Sequence, residues 1–492
     1  MKKTLIAGVI ATCGFFATSC EKTYLETAPT ASVDAGAAYA TTKNATAAIN
    51  GIYRSMIYRY LGSQGHSGHP AMMIISDVIG EDLVFGTSSN GWHWGEQRWI
   101  SHRDENGRLA QLPYEMYYRV IGNANLAIVN IDNAVGPQVE RNQVKGEALA
   151  LRAFGYFNMV QLYGKRYATG GQNSQLGVPL ILEPTTEGVA RATVEAVYTQ
   201  INADLTEAAS LLTENRANKS HFNLNIVNGL RARVALAQGR WADAENLARQ
   251  ARAGFSLMSE AQYQEGFSEI NNPEWMWGFD HLEDQSEFFG AFHSYISSNY
   301  NSSNIRQNPK AINSLLYAKI PQTDVRAKMW VPNRTSPNIV TPPGGVKVNF
   351  HGQKFRLPGT PSTSAQGDVP YMRAAEMYLI EAEAAARQGK DAVAADVLFQ
   401  LNTTRDPEYV QSTTTGATLL EEILTYRRVE LWGEGFRFTD LKRMNLPLNR
   451  NGANHIPAIA VLFDVPAGDV QWEFLIPRRE LDSNAAMVQN PL

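Results

Sequence analysis

The stretch Asp368-Val-Pro-Tyr371-Met-Arg-Ala-Ala-Glu-Met-Tyr378-Leu-Ile-Glu-Ala382, continued through Gly389, Asp391 and on to Arg443, decides the fold. Apolar or small residues return at Met372, Ala375, Tyr378/Leu379, Ala382 and Ala385/Ala386, the three-then-four spacing of one helix face. Asp368 is expected to cap this helix, with Pro370 in its first turn, where a missing N–H has no helical partner to lose. Gly389 supplies the permissive backbone that ends a helix, and Asp391 is expected to cap the next one, which runs to Thr404. The block reads as a helical hairpin whose alanines let two helices approach closely.

The same pattern stands earlier, in Val234-Ala-Leu-Ala-Gln-Gly239-Arg-Trp241-Ala-Asp-Ala244, which matches Ala384 to Ala394 in the placement of its glycine and small residues. Such hairpins look like tetratricopeptide units, which bury their faces by stacking. The two copies lie much further apart than the about 34 residues of a tandem array, so long insertions separate the units.

The chain has 492 residues, enough for a large core, and its 44% hydrophobic and 19% charged content is ordinary for a globular protein. A formal charge of −4 argues against a nucleic-acid partner, which would call for a basic face. Residues 1–19 read as a leader: Lys2 and Lys3, an apolar run from Thr4 to Phe16, then small residues before Cys20. The only two cysteines are Cys13, inside that leader, and Cys20, so no disulfide framework is expected. The leader resembles a bacterial lipoprotein signal, which implies acylation of Cys20, although Ala17 stands where such signals prefer Leu. An ordinary secretory signal is the alternative. Residues 20–40 read as a lipidated start and polar tether.

Helical patterns follow from Thr42, from Met72 to Val78, from Tyr114 to Asn133, from Val139 to Tyr163, from Thr193 to Thr213, from Ile226 to Gln238 and from Trp241 to Ala253. Leu419 to Leu431 is a further one. Thr87 to Gly107 reads as a loop, and it places Trp92, Trp94 and Trp99 within eight positions, beside Asn90, His93, Glu96 and Arg98. Trp275 and Trp277 fall on a short strand pattern, and Trp472 to Pro477 on another. From Gln285 to Gly367 the composition shifts to Ser, Asn, Pro and Gly but keeps Phe288, Phe292, Tyr295, Tyr300, Trp330 and Phe355, which argues for ordered loops.

Several segments together resemble the SusD/RagB family of surface lipoproteins. They are the Cys20 signal, Tyr117 to Asn125, Leu151 to Gly164, Ala374 to Ala384, Arg427 to Arg443 and Ile476 to Glu480, in family order over almost the whole chain. Tyr426, where the family usually has an acid, and Asn484-Ala485, in place of Asn-Pro, depart from its pattern. The resemblance implies a mainly α fold, an α-α superhelix of tetratricopeptide-like hairpins with a loop-rich lobe and a few short strands. It implies an N-terminal helical region over 41–270 and a C-terminal region over 271–492. It further implies a non-catalytic protein without a cofactor, lipid-anchored at the outer membrane and facing outward. Such a protein binds oligosaccharides as the lid of a SusC-like TonB-dependent transporter, while some relatives bind peptides.

A sugar offers apolar C–H faces and hydroxyl edges, so its binder needs flat rings with polar side chains alongside. Trp92, Trp94 and Trp99 with Asn90, His93 and Arg98 supply both, and Tyr300, flanked by Asn299 and Asn301, is a second candidate. The other reading of these rings stands beside it: they anchor the loop onto the core, since tryptophan is highly buried on average. His66 and His69 lack a third metal ligand in sequence and read as a turn, so no metal site is expected. Arg427, Arg428, Glu430, Glu434, Arg437 and Asp440 sit at helical spacings and read as scaffold ion pairs. Glu81-Asp82 and Glu283-Asp284 are adjacent carboxylates, but adjacency does not set the cross-cleft separation of a glycosidase. A surface glycoside hydrolase and a helical-repeat adaptor are the remaining alternatives.

Overall fold

The computed structural model describes residues 35–282, 285, 289–359 and 362–492. The leader, Cys20 and the tether up to residue 34, together with Glu283, Asp284 and Phe288, lie outside the described residues. Helices dominate. They are α1 (Thr42–Ser55), α2 (Gly68–Ile79), α3 (Arg108–Asn130), α4 (Gln138–Tyr163), α5 (Val194–Leu211), α6 (Leu224–Gln238), α7 (Trp241–Ala251), α8 (Ala374–Arg387), α9 (Asp391–Asn402), α10 (Gly416–Glu430) and α11 (Arg437–Met444). From α3 to α9 each helix packs on the next, α10 closes on α8, and α1 lies across α3 and α4. This is the stacked-hairpin arrangement the repeated glycine block predicts. Its apolar side is a large buried cluster running from Tyr39 to Ile476, with a second, smaller one from Ala375 to Leu431 where α8, α9 and α10 meet. Among the described residues, no helix is long and apolar enough to cross a membrane.

Gly389 and Gly239 both adopt φ +72°, the left-handed turn that ends α8 and α6. After each, the chain closes the same way: Lys390 N donates to Ala385 O (3.0 Å) and Arg240 N to Ala235 O (2.9 Å). The two hairpins are geometric copies, and α7 of the first packs against α8 of the second.

The start of the second hairpin differs from expectation. Val369–Arg373 is a strand, paired antiparallel with Trp275–Phe279, and α8 begins only at Ala374. Proline disfavours helical backbone in the residue before it, and the valine and tyrosine around it suit a pleated surface. Asp368 therefore caps nothing; its carboxylate accepts from Ile270 N (2.7 Å) and His281 N (2.8 Å). Asp391 is likewise not a cap. It occupies the first turn of α9 after Lys390, and its Oδ2 accepts from Gly416 N (3.0 Å). Trp275 and Trp277 are buried on their strand, as expected. Trp472 to Pro477 is not a strand: Val470–Trp472 is a 3-10 turn, and the chain beyond it donates from Phe474 N to Leu162 O and from Leu475 N to His102 O.

The loop-rich lobe is built of short ordered pieces. A four-stranded antiparallel sheet joins Leu83–Phe85, Lys310–Ile312, His351–Gly352 and Trp330–Val331 in that spatial order. It ties the segment just before the tryptophan loop to the lobe. Phe292, Tyr295, Tyr300, Trp330 and Phe355 are all buried, which accounts for the order of this Ser/Asn/Gly-rich stretch.

The charged residues in the last turn of α10 and in α11 are ion-paired, mostly with partners that helical spacing does not give. Arg427 binds Asp440 (2.7 Å), and Asp440 also holds Arg443 (2.8 Å). Arg428 and Arg437 reach back to Asp82 and Glu81 at the end of α2. Glu430 meets Arg373 (2.9 Å), Arg326 (3.2 Å) and Arg405 (3.2 Å). Around it Arg405 binds Glu274 (2.7 Å), Arg326 binds Asp324 (2.6 Å), and Glu434 takes Arg373 and Lys354 (2.6 Å each). Four cations and four carboxylates thus neutralise one another inside the core. Burial alone would push Glu430 up, but the guanidiniums of Arg405, Arg373 and Arg326 outweigh it and hold it well below the ordinary carboxylate range.

Candidate functional site

The tryptophan loop is not wholly irregular. Trp94–Gln97 forms one helical turn and Ser101–Arg103 a 3-10 turn. The short helix is bracketed by two left-handed residues, His93 at φ 65° and Trp99 at φ 60°. Histidine tolerates that region, whereas a bulky tryptophan there is strained and must be held by its surroundings.

Trp99 is so held. Its ring is 2% exposed, its Nε1 donates to Ile79 O (2.8 Å), and it stands perpendicular to Trp472 at 4.7 Å between ring centres. The expectation of a ligand-facing Trp99 is therefore corrected. It is the root of the loop, because the left-handed turn directs its ring under the end of α2. Arg98 beside it donates from Nε to Ile459 O and from Nη2 to Ala458 O (2.9 Å each), while its guanidinium lies 5.2 Å from the Trp94 ring centre. Trp94 is half-buried against the core, with its Nε1 enclosed and unpartnered.

At the other end Asn90 is a stitch. Its amide donates to Asn304 Oδ1 (3.1 Å), its Oδ1 accepts from Trp92 N (3.2 Å), and its carbonyl accepts from Asn308 Nδ2 (3.0 Å). These bonds fasten the loop to the lobe across more than two hundred positions of sequence. His93 is buried too, which corrects its expected place in a contact surface. Burial pushes its imidazole down to about 3, with Lys310 and His66 adding to the effect, so it sits neutral under the loop. Burial likewise lowers Lys310 to about 7, and its Nζ donates to Asn308 O (2.6 Å).

Trp92 is the ring that remains outside, 36% exposed. It meets Tyr295 edge-on at 6.0 Å and lies against Gly65 of the turn between α1 and α2. His93 meets the same Tyr295 at 5.0 Å from below. Three segments distant in sequence, around residues 65, 92 and 295, therefore build one aromatic corner. Tyr295 was not singled out for this role from sequence, where nothing ties it to Trp92.

Tyr300 is also corrected as a contact residue. It is fully buried in a small cluster with Ala291, Ile305, Leu357 and Ala365. Asn299 turns it inward by pinning the backbone: its amide donates to Leu357 O and Gly359 O (2.7 Å each), and its Oδ1 accepts from Leu357 N (2.9 Å).

A second concavity adjoins the corner. A cavity of about 220 Å³ opens between the end of α1, the turn before α2 and residues Phe279, His281 and 290–292; Arg54, Tyr58 and Ser67 line its other side. The turn 61–67 and the segment 290–295 are shared with the Trp92 corner. Glu81 and Asp82 are far from a catalytic disposition: both are buried and bound to Arg428 and Arg437.

Comparison with known proteins places this geometry. A SusD-like family model described as "Starch-binding associating with outer membrane" matches residues 74–236, and the SusD family model matches residues 345–492. A SusD-like carbohydrate binding protein from Bacteroides vulgatus is similar at 26% identity and TM-score 0.78, with 91% of this chain and 98% of that chain covered. A SusD superfamily protein from Bacteroides thetaiotaomicron shares the fold at 24% identity and TM-score 0.78, covering 92% and 100%. So does a laminarin binding SusD-like protein, at 22% identity and TM-score 0.70, covering 92% and 100%. No curated protein matches the chain significantly.

Proposed function

The chain belongs to the SusD family of non-catalytic binding proteins, and from that premise we propose that it captures oligosaccharides at the outer membrane and passes them to a SusC-like TonB-dependent transporter. The observation that carries the reading is Trp92: one indole held outward by a loop whose other indoles, Trp99 and Trp94, are buried and half-buried. A ring fixed at both ends of its loop, with Tyr295 at its edge, costs little to order when a sugar face settles on it. The matched family description and the carbohydrate-binding relative support a glycan over a peptide. Anchoring through an acylated Cys20 completes the proposal, since several acyl chains on one residue give stable attachment.

The test is a titration of the protein with a panel of oligosaccharides, followed by tryptophan fluorescence. A saturable change is expected for at least one glycan, and Trp92→Ala should weaken that binding by about tenfold or more, roughly 1.4 kcal/mol. A peptide library in the same assay separates the alternative ligand class. No response to any glycan removes the reading. Extraction in gentle detergent should return a large barrel protein with this chain; recovery of the free lipoprotein alone removes the transporter partner.

A further inference from the structure

The loop-rich lobe has a concavity of its own at the far edge of its sheet. The strand order puts Leu83–Phe85, which leads into the Trp92 loop, at one edge and Trp330–Val331 at the other. The two edges are three strand spacings apart, about 14 Å. Beside the second lies a cavity of about 380 Å³, lined by residues between Ala327 and Val340 together with Tyr317, Gln264, Gln353 and Arg356. Small-molecule sites run from about 300 to 1,000 Å³, so the space suits a short stretch of glycan.

The lining is rich in side-chain amides: Gln264, Gln322, Asn333, Asn338 and Gln353. Some of their bonding capacity is spent on the wall. Gln353 clasps Val340, accepting from its N and donating to its O (3.3 Å each). Asn333 Oδ1 accepts from Thr335 N (3.0 Å) and Oγ1 (2.9 Å). These bonds curve the segment 332–340 around the cavity. The rest is uncommitted. The exposed Asn338 amide makes no hydrogen bond among the described residues, and Gln264 keeps its Oε1 free while its Nε2 donates to Glu260 O (3.3 Å). The half-buried Arg356 adds N–H donors, and Lys328 is engaged with Glu260 at 3.6 Å. Apolar surface stands beside these groups: Pro332 is exposed, Val331 and Val340 are half-buried, and the buried Tyr317 and Trp330 complete the lining.

An amide offers donor and acceptor in one plane, as adjacent sugar hydroxyls do. Amides next to apolar carbon therefore match a sugar on both its hydroxyl edge and its C–H face. We propose that this cavity is a second oligosaccharide site, so that one chain grips a polysaccharide at two points on opposite edges of the lobe sheet. The proposal rests on glycan binding at Trp92 and goes beyond it. Short fragments fill the two sites independently, whereas a chain long enough to reach both makes its second contact within the same complex and is held more tightly.

Calorimetric titration with maltohexaose, laminarihexaose and xylohexaose, and with starch, laminarin and xylan as their parent polysaccharides, tests it. For a hexasaccharide that binds, two sites per chain are expected, and one in Trp92→Ala. Asn338→Ala combined with Arg356→Gln should weaken the remaining site by about tenfold or more. Ser336→Trp, which places a large ring in the cavity, should block it. An unchanged melting temperature in these variants separates a binding defect from a folding one. The parent polysaccharide should bind about tenfold or more tightly than its hexasaccharide, and either Trp92→Ala or the cavity variants should abolish that gain. One site per chain, lost in Trp92→Ala, overturns the proposal and leaves the glycan reading intact. Two sites that both ignore the cavity variants overturn it as well. A single site that survives Trp92→Ala and fails in the cavity variants keeps this cavity and removes Trp92 from the function. Binding of no probe removes both.

Discussion

The scaffold around Glu430 and the loop around Trp92 spend polar groups in opposite ways. In the scaffold, Arg326, Arg373, Arg405 and Lys354 are fully buried and matched with Asp324, Glu274, Glu430 and Glu434. Around the loop the acceptors are amides and carbonyls instead of carboxylates: Asn90 donates to Asn304, Asn308 to the Asn90 carbonyl, and the Arg98 guanidinium to two carbonyls. Several enclosed atoms there, His93 Nε2, Trp94 Nε1 and Asn304 Nδ2, have no partner. Buried ion pairs fix one arrangement because every alternative strands a charge in a low dielectric. Stitches to amide and carbonyl oxygens set a position at smaller cost and leave room for adjustment. The rigid half determines where the loop sits, and the loosely satisfied half presents the ring.

The largest effect should come from breaking the charge cluster. Glu430→Gln leaves three guanidiniums short of one negative charge and is expected to cost about 3–5 kcal/mol, read as a lowered denaturant midpoint. Carboxylates of this cluster and of the neighbouring Arg427–Asp440–Arg443–Glu383 chain set the acid limit. Glu430, Glu434, Glu383 and Asp440 are all held below their ordinary values, burial being outweighed by the arginines and lysine beside them. A depressed carboxylate contributes stability that is present above its unfolded value, near 4.5 for glutamate, and is lost as pH falls through the folded one. The melting temperature should therefore fall steeply below about pH 4.5, and Glu430→Gln should flatten that fall. A variant as stable as the parent, with the same acid limb, would show that the cluster does not define the scaffold.

A smaller effect sharpens the comparison within the loop. Trp99→Phe removes an indole N–H bond and part of a packed ring, at an expected cost of about 2 kcal/mol. Trp92→Phe, seven positions away, should stay within about 0.5 kcal/mol because that ring packs on one side only. Equal costs at the two sites would mean that Trp92 too is a structural anchor, and the division between root and platform would be lost.

How much of this the sequence discloses follows the same division. The helices are legible because a 3.6-residue period repeats over many turns, and a local rule suffices. Gly239 and Gly389 are legible because one φ value is needed at each. Asp368 and Pro370 mislead because the strand they join is paired with Trp275 to Phe279, about a hundred positions away, and pairing at that range overrides a local cap signal. The ion pairs mislead in the same sense. Arg427, Glu430 and Asp440 are correctly read as scaffold, but their partners are set by tertiary contacts such as Arg373, Arg326 and Asp82. At the site, composition marks the Trp92 loop but does not say which ring turns in. That is decided by two left-handed residues, His93 and Trp99, which no spacing announces. Tyr295 comes to the site through the fold alone.

The smallest predicted effect tests the scaffold against itself. Gly389 and Gly239 share φ +72°, yet a Cβ at Gly389 would meet open space while one at Gly239 would run into the side chain of Thr169. Gly389→Ala should therefore cost only the left-handed strain, about 1 kcal/mol. Gly239→Ala should cost that much and the displacement of Thr169, whose hydroxyl donates to Gln238 O (3.2 Å) at the same turn. Adding Thr169→Ala to Gly239→Ala should recover the difference and leave about the Gly389→Ala value, since the clash and the strain are separate terms. Thermal melts of the three variants and the parent decide it. If Gly239→Ala is no worse than Gly389→Ala, Thr169 yields freely, and the first hairpin's turn is as open to its surroundings as the second's.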